Sequence, residues 1–245
     1  MFARTALISV AFAAFLGVTQ LAAARPLLAL GGEAARASSP SRRHPAHGLP
    51  TGSIRQTNQT WVCRGPVNLR SVSVTMTSAI TTRRKGDAVH LAPGCTGRIG
   101  RLTVVTSVAD GVKVAEGVHD LAVGGGSIRC LAKLANLHQD GMQVMGGARI
   151  TLHGLRIDCG RRQDSLINSN LFIKRAGRST RPPTDVVCVD CSLGGSAAHT
   201  ASIQASIRSG LVDSTLCAAK YSKLTLTIGR NAVDPVDLRN AIDGC

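Results

Sequence analysis

Aromatic side chains, glutamate and long apolar runs are all scarce in this 245-residue sequence. Phe, Trp and Tyr make up 2% of the chain, and the only glutamates are Glu33 and Glu116. Long surface helices are disfavoured, because the Lys/Glu pairs that stabilise such helices are missing. A protein with several membrane spans is excluded, because no apolar run of spanning length follows the N-terminal segment.

Basic residues dominate the charge of the chain. Lys plus Arg total 29 against 14 acids, for a formal net charge of +15, and Arg supplies 23 of the 29. Val, Leu and Ile recur along the sequence, which argues against disorder throughout. So basic a surface favours a polyanionic partner. We expect an acidic polysaccharide or a cell-envelope polymer rather than nucleic acid, because the aromatics that stack on single strands are nearly absent.

The N-terminal part of the sequence predicts export. Residues 1–24 have the pattern of a signal peptide, with Arg4 as a positive start, an apolar stretch at 6–18 and three alanines at the end. Residues 25–60 are rich in Ala, Ser, Pro, Gly and Arg without a period, which predicts a flexible basic leader. We therefore expect a secreted or cell-surface protein, with a folded domain and C-terminal cap over residues 61–245.

All eight cysteines follow the predicted signal peptide, and an even number in an exported chain predicts disulfides. The spacing Cys188-x-x-Cys191 is also used by metal and redox sites, but no second pair of this kind accompanies it. The sequence identifies no cofactor, and we predict no metal site.

A repeated pattern is the most informative feature of the sequence. Asp87–Ala92 resembles Asp110–Ala115, both resemble Asp140–Met145, and Ser169–Lys174 and Ala201–Ser206 continue the series more weakly. The third residue of each segment is apolar, at spacings of 23, 30, 29 and 32: Val89, Val112, Met142, Leu171 and Ile203. Units of this length without a helical segment predict a solenoid in which these side chains form one buried ladder. An antiparallel sandwich with coincidental spacing is the alternative.

Three segments carry a resemblance to a known family. His138–Gly147, Arg149–Cys159 and Pro183–Cys191 resemble the secreted right-handed parallel β-helix proteins of the pectate-lyase-like superfamily. The resemblance covers about residues 61–230 and implies an all-β fold, a right-handed parallel β-helix of roughly five to seven coils. That superfamily includes polysaccharide lyases, hydrolases, epimerases and non-catalytic surface proteins, so the fold alone does not assign a function. The resemblance also implies that polysaccharide binds on a lateral face of the β-helix.

Two polar columns are predicted on the solenoid. Alternation along the strands places one column on an outer face, formed by His90, Lys113, Gln143, Phe172 and Gln204. The second lies at the preceding corner and consists of Asp87, Asp110 and Asp140, with His138 just before it. Asp-Gly pairs are also typical of turns in which Gly accepts a positive φ, and we favour that interpretation of the aspartates. A turn needs neither His138 nor Gln143, and a sugar hydroxyl can use both as hydrogen-bond partners.

A further column of carboxylates is predicted from Asp158, Asp190 and Asp213, each of which follows an aliphatic strand residue. Stacked carboxylates repel one another and need Ca²⁺ or nearby arginines. The abundance of arginines favours ion pairs. The same register would bring Cys159 and Cys191 to neighbouring coils, within reach of a disulfide.

The leading hypothesis is an exported carbohydrate-active protein that binds an acidic polysaccharide on its lateral face, with a lyase as the favoured enzyme. His138 or Lys113 would be the base, and Asp140 completes the predicted catalytic group. The residues assigned to substrate binding are His90, Gln143, Arg149 and Lys174. A hydrolase needs a carboxyl group of raised pKa, for which exposed turns are a poor environment. The alternative is a non-catalytic cell-envelope or adhesion module, and in either case we expect a monomer.

Overall fold

The computed structural model describes eight segments: residues 51–77, 86–107, 110–131, 139–160, 167–175, 179–195, 197–217 and 224–243. The predicted signal peptide and His138 lie outside these segments. Every regular element within them is a β-strand, and the same segments contain no helix long and apolar enough to cross a membrane.

The strands are short and follow one another closely. In chain order they are β1 (Gly52–Thr57), β2 (Trp61–Cys63), β3 (Pro66–Met76), β4 (Asp87–Leu91), β5 (Thr96–Ile99), β6 (Leu102–Thr106), β7 (Asp110–Val114), β8 (His119–Val123), β9 (Gly126–Cys130), β10 (Gln139–Val144), β11 (Ala148–His153), β12 (Leu155–Cys159), β13 (Ile167–Lys174), β14 (Thr184–Val189), β15 (Ser192–Gly194), β16 (His199–Gln204), β17 (Gly210–Val212), β18 (Thr215–Cys217), β19 (Leu224–Ile228), β20 (Val236–Leu238) and β21 (Ala241–Asp243).

Three strands form one coil, with one strand on each of three faces. Face 1 is a seven-stranded parallel sheet of β2, β4, β7, β10, β13, β16 and β19. Face 2 contains the first half of β3 and then β5, β8, β11, β14, β17 and β20. Face 3 contains the second half of β3 and then β6, β9, β12, β15, β18 and β21. The chain is therefore the predicted right-handed parallel β-helix, and its seven-stranded sheet gives seven coils, numbered 1 to 7 from β2.

The folded part begins earlier than the pattern indicated. Residues 52–57, which the sequence placed in the flexible leader, form β1 and pair in parallel with the second half of β3. Alternate residues of β1 are exposed and half-buried. The strand extends face 3 by one position before the first complete coil.

Inward-facing side chains stack as aliphatic ladders. Val89, Val112, Met142 and Leu171 pair in register on face 1 and are fully buried, as predicted. The predicted fifth member is wrong: Leu171 pairs with Ala201, and Ile203 belongs to the neighbouring ladder above Ile173. A two-residue shift leaves every side chain on the same side of the strand, so the alternation in the sequence cannot detect it.

The corner between faces 1 and 2 uses residues in the left-handed backbone region. They form an alternating column of acids and arginines, with φ between 44° and 54°: Asp120, Arg149, Asp185, Arg208 and Asp234. Arg149 donates two hydrogen bonds to the Asp120 carboxylate at 2.6 and 2.7 Å. Arg208 donates two to Asp185 at 2.7 and 2.9 Å. We call this column the charge ladder.

Arg208 provides a test of backbone strain in the charge ladder. Arg208→Ala removes an exposed ion pair, which contributes little to stability, and keeps a Cβ in the left-handed region. Arg208→Gly removes the same ion pair but also relieves about 1 kcal/mol of left-handed strain. Urea unfolding should therefore show the Gly variant to be more stable than the Ala variant. The opposite order would mean that the extra freedom Gly gives the unfolded chain outweighs the left-handed strain that it relieves.

The second predicted carboxylate column forms only in part. Asp190 and Asp213 occupy neighbouring left-handed corners between faces 2 and 3, but Asp158 lies on face 3 opposite Gly194. Arg239 hydrogen-bonds Asp213, and His153 lies 3.0 Å from Asp190.

Three disulfides are present among the described residues. Cys63–Cys95 and Cys130–Cys159 each join neighbouring coils, and Cys188–Cys191 closes the corner between β14 and β15. The predicted Cys159–Cys191 pair is wrong, because Cys159 lies on face 3 in register with Cys130. Both halves of the Cys188-x-x-Cys191 pair are buried, which identifies it as a structural link. Three disulfides indicate an oxidising compartment.

Candidate functional site

Three aspartates lie side by side at the start of consecutive strands on face 1. Asp87 begins β4, Asp110 begins β7, and Asp140 is the second residue of β10. Asp87 pairs in register with Asp110, and the backbone N–H of Asp140 donates to Asp110 Oδ1 at 2.9 Å. We call these three residues the carboxylate column. Parallel strands are about 4.8 Å apart, so each aspartate is within one strand spacing of the next.

The glycines after Asp110 and Asp140 are not turn residues, which corrects the expectation from the sequence. Neither Gly111 nor Gly141 has a positive φ, and both lie within strands. A Cβ on Gly111 would lie 2.4 Å from the Gly141 carbonyl oxygen, and one on Gly141 would lie 2.5 Å from that of Asn170. Gly is therefore required because neighbouring coils approach too closely for a side chain. Asp110 and Asp140, which precede these glycines, therefore lie within strands and not in turns.

Asp140 is the most enclosed member of the carboxylate column. It is fully buried, and its carboxylate accepts hydrogen bonds from Gln143 Nε2 at 3.1 Å and Asn168 Nδ2 at 3.0 Å. A substrate cannot reach a buried carboxylate directly. Asp140 can therefore affect a ligand on this face only through its neighbours.

Asp87 contacts two nitrogen-bearing side chains of the outer face. His90 Nδ1 lies 2.7 Å from Asp87 Oδ2, and Lys113 Nζ lies 3.7 Å from Asp87 Oδ1. The Asp87 side chain is 12% exposed, and those of His90 and Lys113 are 32% and 28% exposed. Solvent and small groups of a ligand can thus reach this end of the column.

Asp110 lies between the other two carboxyl groups and is partly buried. Burial, followed by the negative charges of Asp140 and Asp87, raises the pKa of Asp110 to about 7, against the opposing hydrogen bond from Asp140 and the charge of Lys113. The expectation that these aspartates are too exposed for a raised pKa is wrong, since Asp110 is in a strand between neighbouring coils. Near neutral pH this group can both donate and accept a proton.

The outward column of face 1 lies directly beside the aspartates. His90, Lys113, Gln143 and Phe172 pair in register as predicted. The next position is Ser202 rather than Gln204, because of the same two-residue shift that moves Ile203. Gln204 instead pairs with Lys174, and its amide donates to Ser202 Oγ at 2.9 Å.

Four of the seven predicted site residues lie together: His90, Lys113, Asp140 and Gln143. Lys174 is also on face 1, but on coil 5, where its ammonium lies 5.8 Å from the centroid of the Phe172 ring. Arg149 lies apart from the carboxylate column, in the charge ladder at the start of face 2. Its hydrogen bonds hold the pKa of Asp120 well below the usual range.

Arg149 lines a separate cavity of about 500 Å³ beside the charge ladder. Near this cavity, the hydroxyl and backbone N–H of Thr180 donate hydrogen bonds to the Glu116 carboxylate at 2.6 and 2.8 Å. Other residues of the wall are His119, Arg181 and Thr184. Arg149 and Gln143, which the sequence assigned together to substrate binding, are therefore on different faces.

Asn168 is the site residue that the sequence did not indicate. Its Nδ2 bonds both Asp140 Oδ1 and, at 3.2 Å, Ser169 Oγ. Coil 5 has Ser169-Asn170 where coils 3 and 4 have Asp-Gly, so the repeat is weak at this position. Asn168 precedes Ser169, which pairs with Asp140, and this register is known only from the structure.

Among the described residues, no group of three or more His, Cys, Asp or Glu side chains is arranged to hold a metal ion. Comparison of the chain with protein-family models, with curated proteins and with solved structures finds no match.

Proposed function

We propose that this protein is an exported β-helix protein of the pectate-lyase-like superfamily that binds an acidic polysaccharide along face 1 and hydrolyses it. The observation that carries the proposal is the carboxylate column, with Asp110 partly buried between two further aspartates on adjacent coils. Glycoside hydrolysis needs one carboxyl group that is protonated and a second that is ionised. The column supplies both kinds of group on a lateral face.

Asp110 is the acid in this proposal. It gives its proton to the glycosidic oxygen as the C–O bond to the leaving sugar breaks, and water supplies the hydroxyl group of the new reducing end. Asp140, which is buried, keeps Asp110 protonated through its negative charge and fixes it through the N–H bond to Oδ1. Asp140 therefore serves catalysis without touching the sugar.

Asp87 is the second carboxylate of the proposed pair. His90 and Lys113 hold its carboxylate in place, and it is partly exposed to solvent. The Asp87–Asp110 spacing of about one strand is close to the roughly 5 Å of enzymes whose second carboxylate acts as a nucleophile. Lys113 also gives this end of face 1 the positive charge that attracts a uronate polymer.

A hydrolase fits this geometry better than the lyase favoured from the sequence. Of the two bases named for a lyase, Lys113 is engaged in an ion pair with Asp87, and His138 lies outside the described residues. A cation held between carboxylates is better placed to bind a uronate carboxylate than to remove a proton.

The test is incubation of the protein with a panel of uronate polymers, with separate assays for new reducing ends and for unsaturated products. We expect reducing ends without unsaturated products. Asp110→Asn should lower the rate at least about a hundredfold, because it removes the acid. Asp158→Asn, which changes an exposed aspartate on face 3, is the matched control and should leave the rate unchanged.

Two outcomes contradict hydrolysis in different ways. Unsaturated products would identify a lyase, for which His138 is then the first residue to substitute. Salt-sensitive binding without any cleavage would support the non-catalytic envelope or adhesion module, since exposed charge pairs weaken as salt is added.

A further inference from the structure

We propose that Phe172 and Lys174 form a uronate subsite on coil 5, in which one sugar ring stacks on Phe172 while its carboxylate pairs with Lys174. The inference rests on the proposed function, because it assumes that a sugar chain lies along face 1. The proposed function concerns the residues that cleave the chain. The subsite adds a contact with one sugar ring that gives specificity.

Phe172 is an aromatic side chain in an unusual place. Trp61 and Phe172 are the only aromatic residues in the described part of the chain, and Trp61 is buried in the ladder of face 1. Phe172 instead points outward, partly exposed, between Gln143 and Ser202 of neighbouring coils. Its ring contributes nothing to the core and presents an apolar surface in a polar column.

Lys174 lies on the same strand and on the same side as Phe172, two residues further along. Its ammonium lies 5.8 Å from the ring centroid, near the outer limit of a cation–π contact. The flexible stem of a lysine can follow a ligand carboxylate without leaving the ring. A flat apolar surface beside a mobile cation matches a uronate ring, which has one apolar face and one carboxylate.

The position of Phe172 fits a chain that runs across the strands. Gln143 is one coil from Phe172 and Lys113 is two coils away, so Phe172 is about 10 Å from the level of Asp110. An extended sugar chain advances by a similar length per ring as the β-helix does per coil. The subsite therefore holds a ring one or two units from the cleaved bond.

The ligand should be acidic at this ring. An aromatic platform alone also accepts neutral sugars, whereas Lys174 adds a charged group that a uronate satisfies and a neutral sugar does not. Beyond the platform, Gln204 and Ser202 continue the polar surface toward coil 6. A methyl-esterified uronate should keep the stacking contact and lose the ion pair.

The experiment is calorimetric titration of the protein with tetrameric galacturonate, mannuronate and glucuronate, and with their methyl esters. Phe172→Ala should weaken binding of the preferred tetramer at least tenfold. Phe172→Leu keeps apolar bulk without an aromatic face, and most of the loss should remain. Lys174→Met should weaken binding of the free acid about tenfold but leave binding of the ester unchanged.

Each outcome separates this subsite from the proposed function. Cleavage that depends on Asp110, with tetramer binding unaffected by Phe172→Ala, would overturn the subsite and leave hydrolysis standing. Tetramer binding that depends on Phe172, without any cleavage, would support the subsite and reject hydrolysis. A wild-type protein that binds none of the tetramers would overturn the subsite, whatever the cleavage assay gives. Thermal unfolding of each variant checks that the fold is intact.

Discussion

Replacing Gly141 by Ala is expected to destabilise the protein by about 3 kcal/mol or more, because overpacking here displaces backbone. The new Cβ would lie 2.5 Å from the Asn170 carbonyl oxygen, 2.6 Å from Ile157 Cγ2 and 2.8 Å from Cys159 Sγ. None of these atoms is the free end of a flexible side chain. The coil must therefore move, and with it the carboxylate column that Asp140 belongs to. Urea unfolding measures the loss.

Gly65 provides the matched control for this substitution. A Cβ on Gly65 would have no heavy atom within 4 Å, and its φ is not positive. Gly65→Ala should therefore leave the free energy of unfolding unchanged or raise it by up to about 1 kcal/mol, because Ala restricts the unfolded chain. Equal stability of the two variants would show that the coils can separate at Gly141 without loss, and would reject close packing as the reason for the Asp-Gly pairs.

The free energy of unfolding is expected to fall as pH rises from about 4 to about 7, because of Asp110. Its pKa is about 7 in the folded protein and 3.8 as an ordinary aspartate, so the folded state holds a proton that the unfolded state has released. The contribution is fully present below about pH 4 and lost above about pH 7. A difference of about three pKa units corresponds to at most about 4 kcal/mol.

Asp110→Asn isolates this contribution. Asn cannot ionise and keeps an oxygen that can accept the Asp140 N–H, so its advantage over wild type should grow between about pH 4 and about pH 8 by up to about 4 kcal/mol. Asp158→Asn should change stability by less than about 0.5 kcal/mol at both values. A pH-independent difference between Asp110→Asn and wild type would show that Asp110 is ionised throughout, and would remove the acid from the proposed mechanism.

The repeat in the sequence was sufficient to predict the fold and most of one face. Val89, Val112 and Met142 are placed correctly because the repeated segment of each of coils 2 to 4 begins with an aspartate. The weaker segment of coil 5 still places Leu171 in the same register. At coil 6 that signal is gone, and only alternation remains. Alternation has a period of two and cannot separate Ala201 from Ile203.

The sequence places the three aspartates on adjacent coils, as the structure has them, but partly for the wrong reason. Asp110 and Asp140 were interpreted as turn residues, since Asp-Gly is a common turn pair. The structural reason for Gly is the approach of a carbonyl oxygen from the next coil, which depends on stacking and is invisible in a single segment. The burial that raises the pKa of Asp110 has the same origin, and so could not be foreseen.

Corner residues were the least predictable part of the chain. Arginine rarely adopts the left-handed region, so nothing in the local sequence of Arg149 or Arg208 indicates a corner. The predicted pairing of Cys159 with Cys191 is wrong for a related reason. Cys191 is at a corner and Cys159 is within a strand. If one corner is located wrongly, the residues after it are assigned to the wrong face and the wrong disulfide partners are predicted.

The charge ladder repeats with a period of two coils. Acid and base alternate from coil 3 to coil 7, so each coil differs in charge from its neighbours and matches the next but one. Deleting coil 4 alone would bring Asp120 against Asp185, and two carboxylates would meet at one corner. Deleting coils 4 and 5 together would bring Asp120 against Arg208 and restore an ion pair. Shortening or lengthening of this part of the solenoid is therefore electrostatically neutral only in steps of two coils.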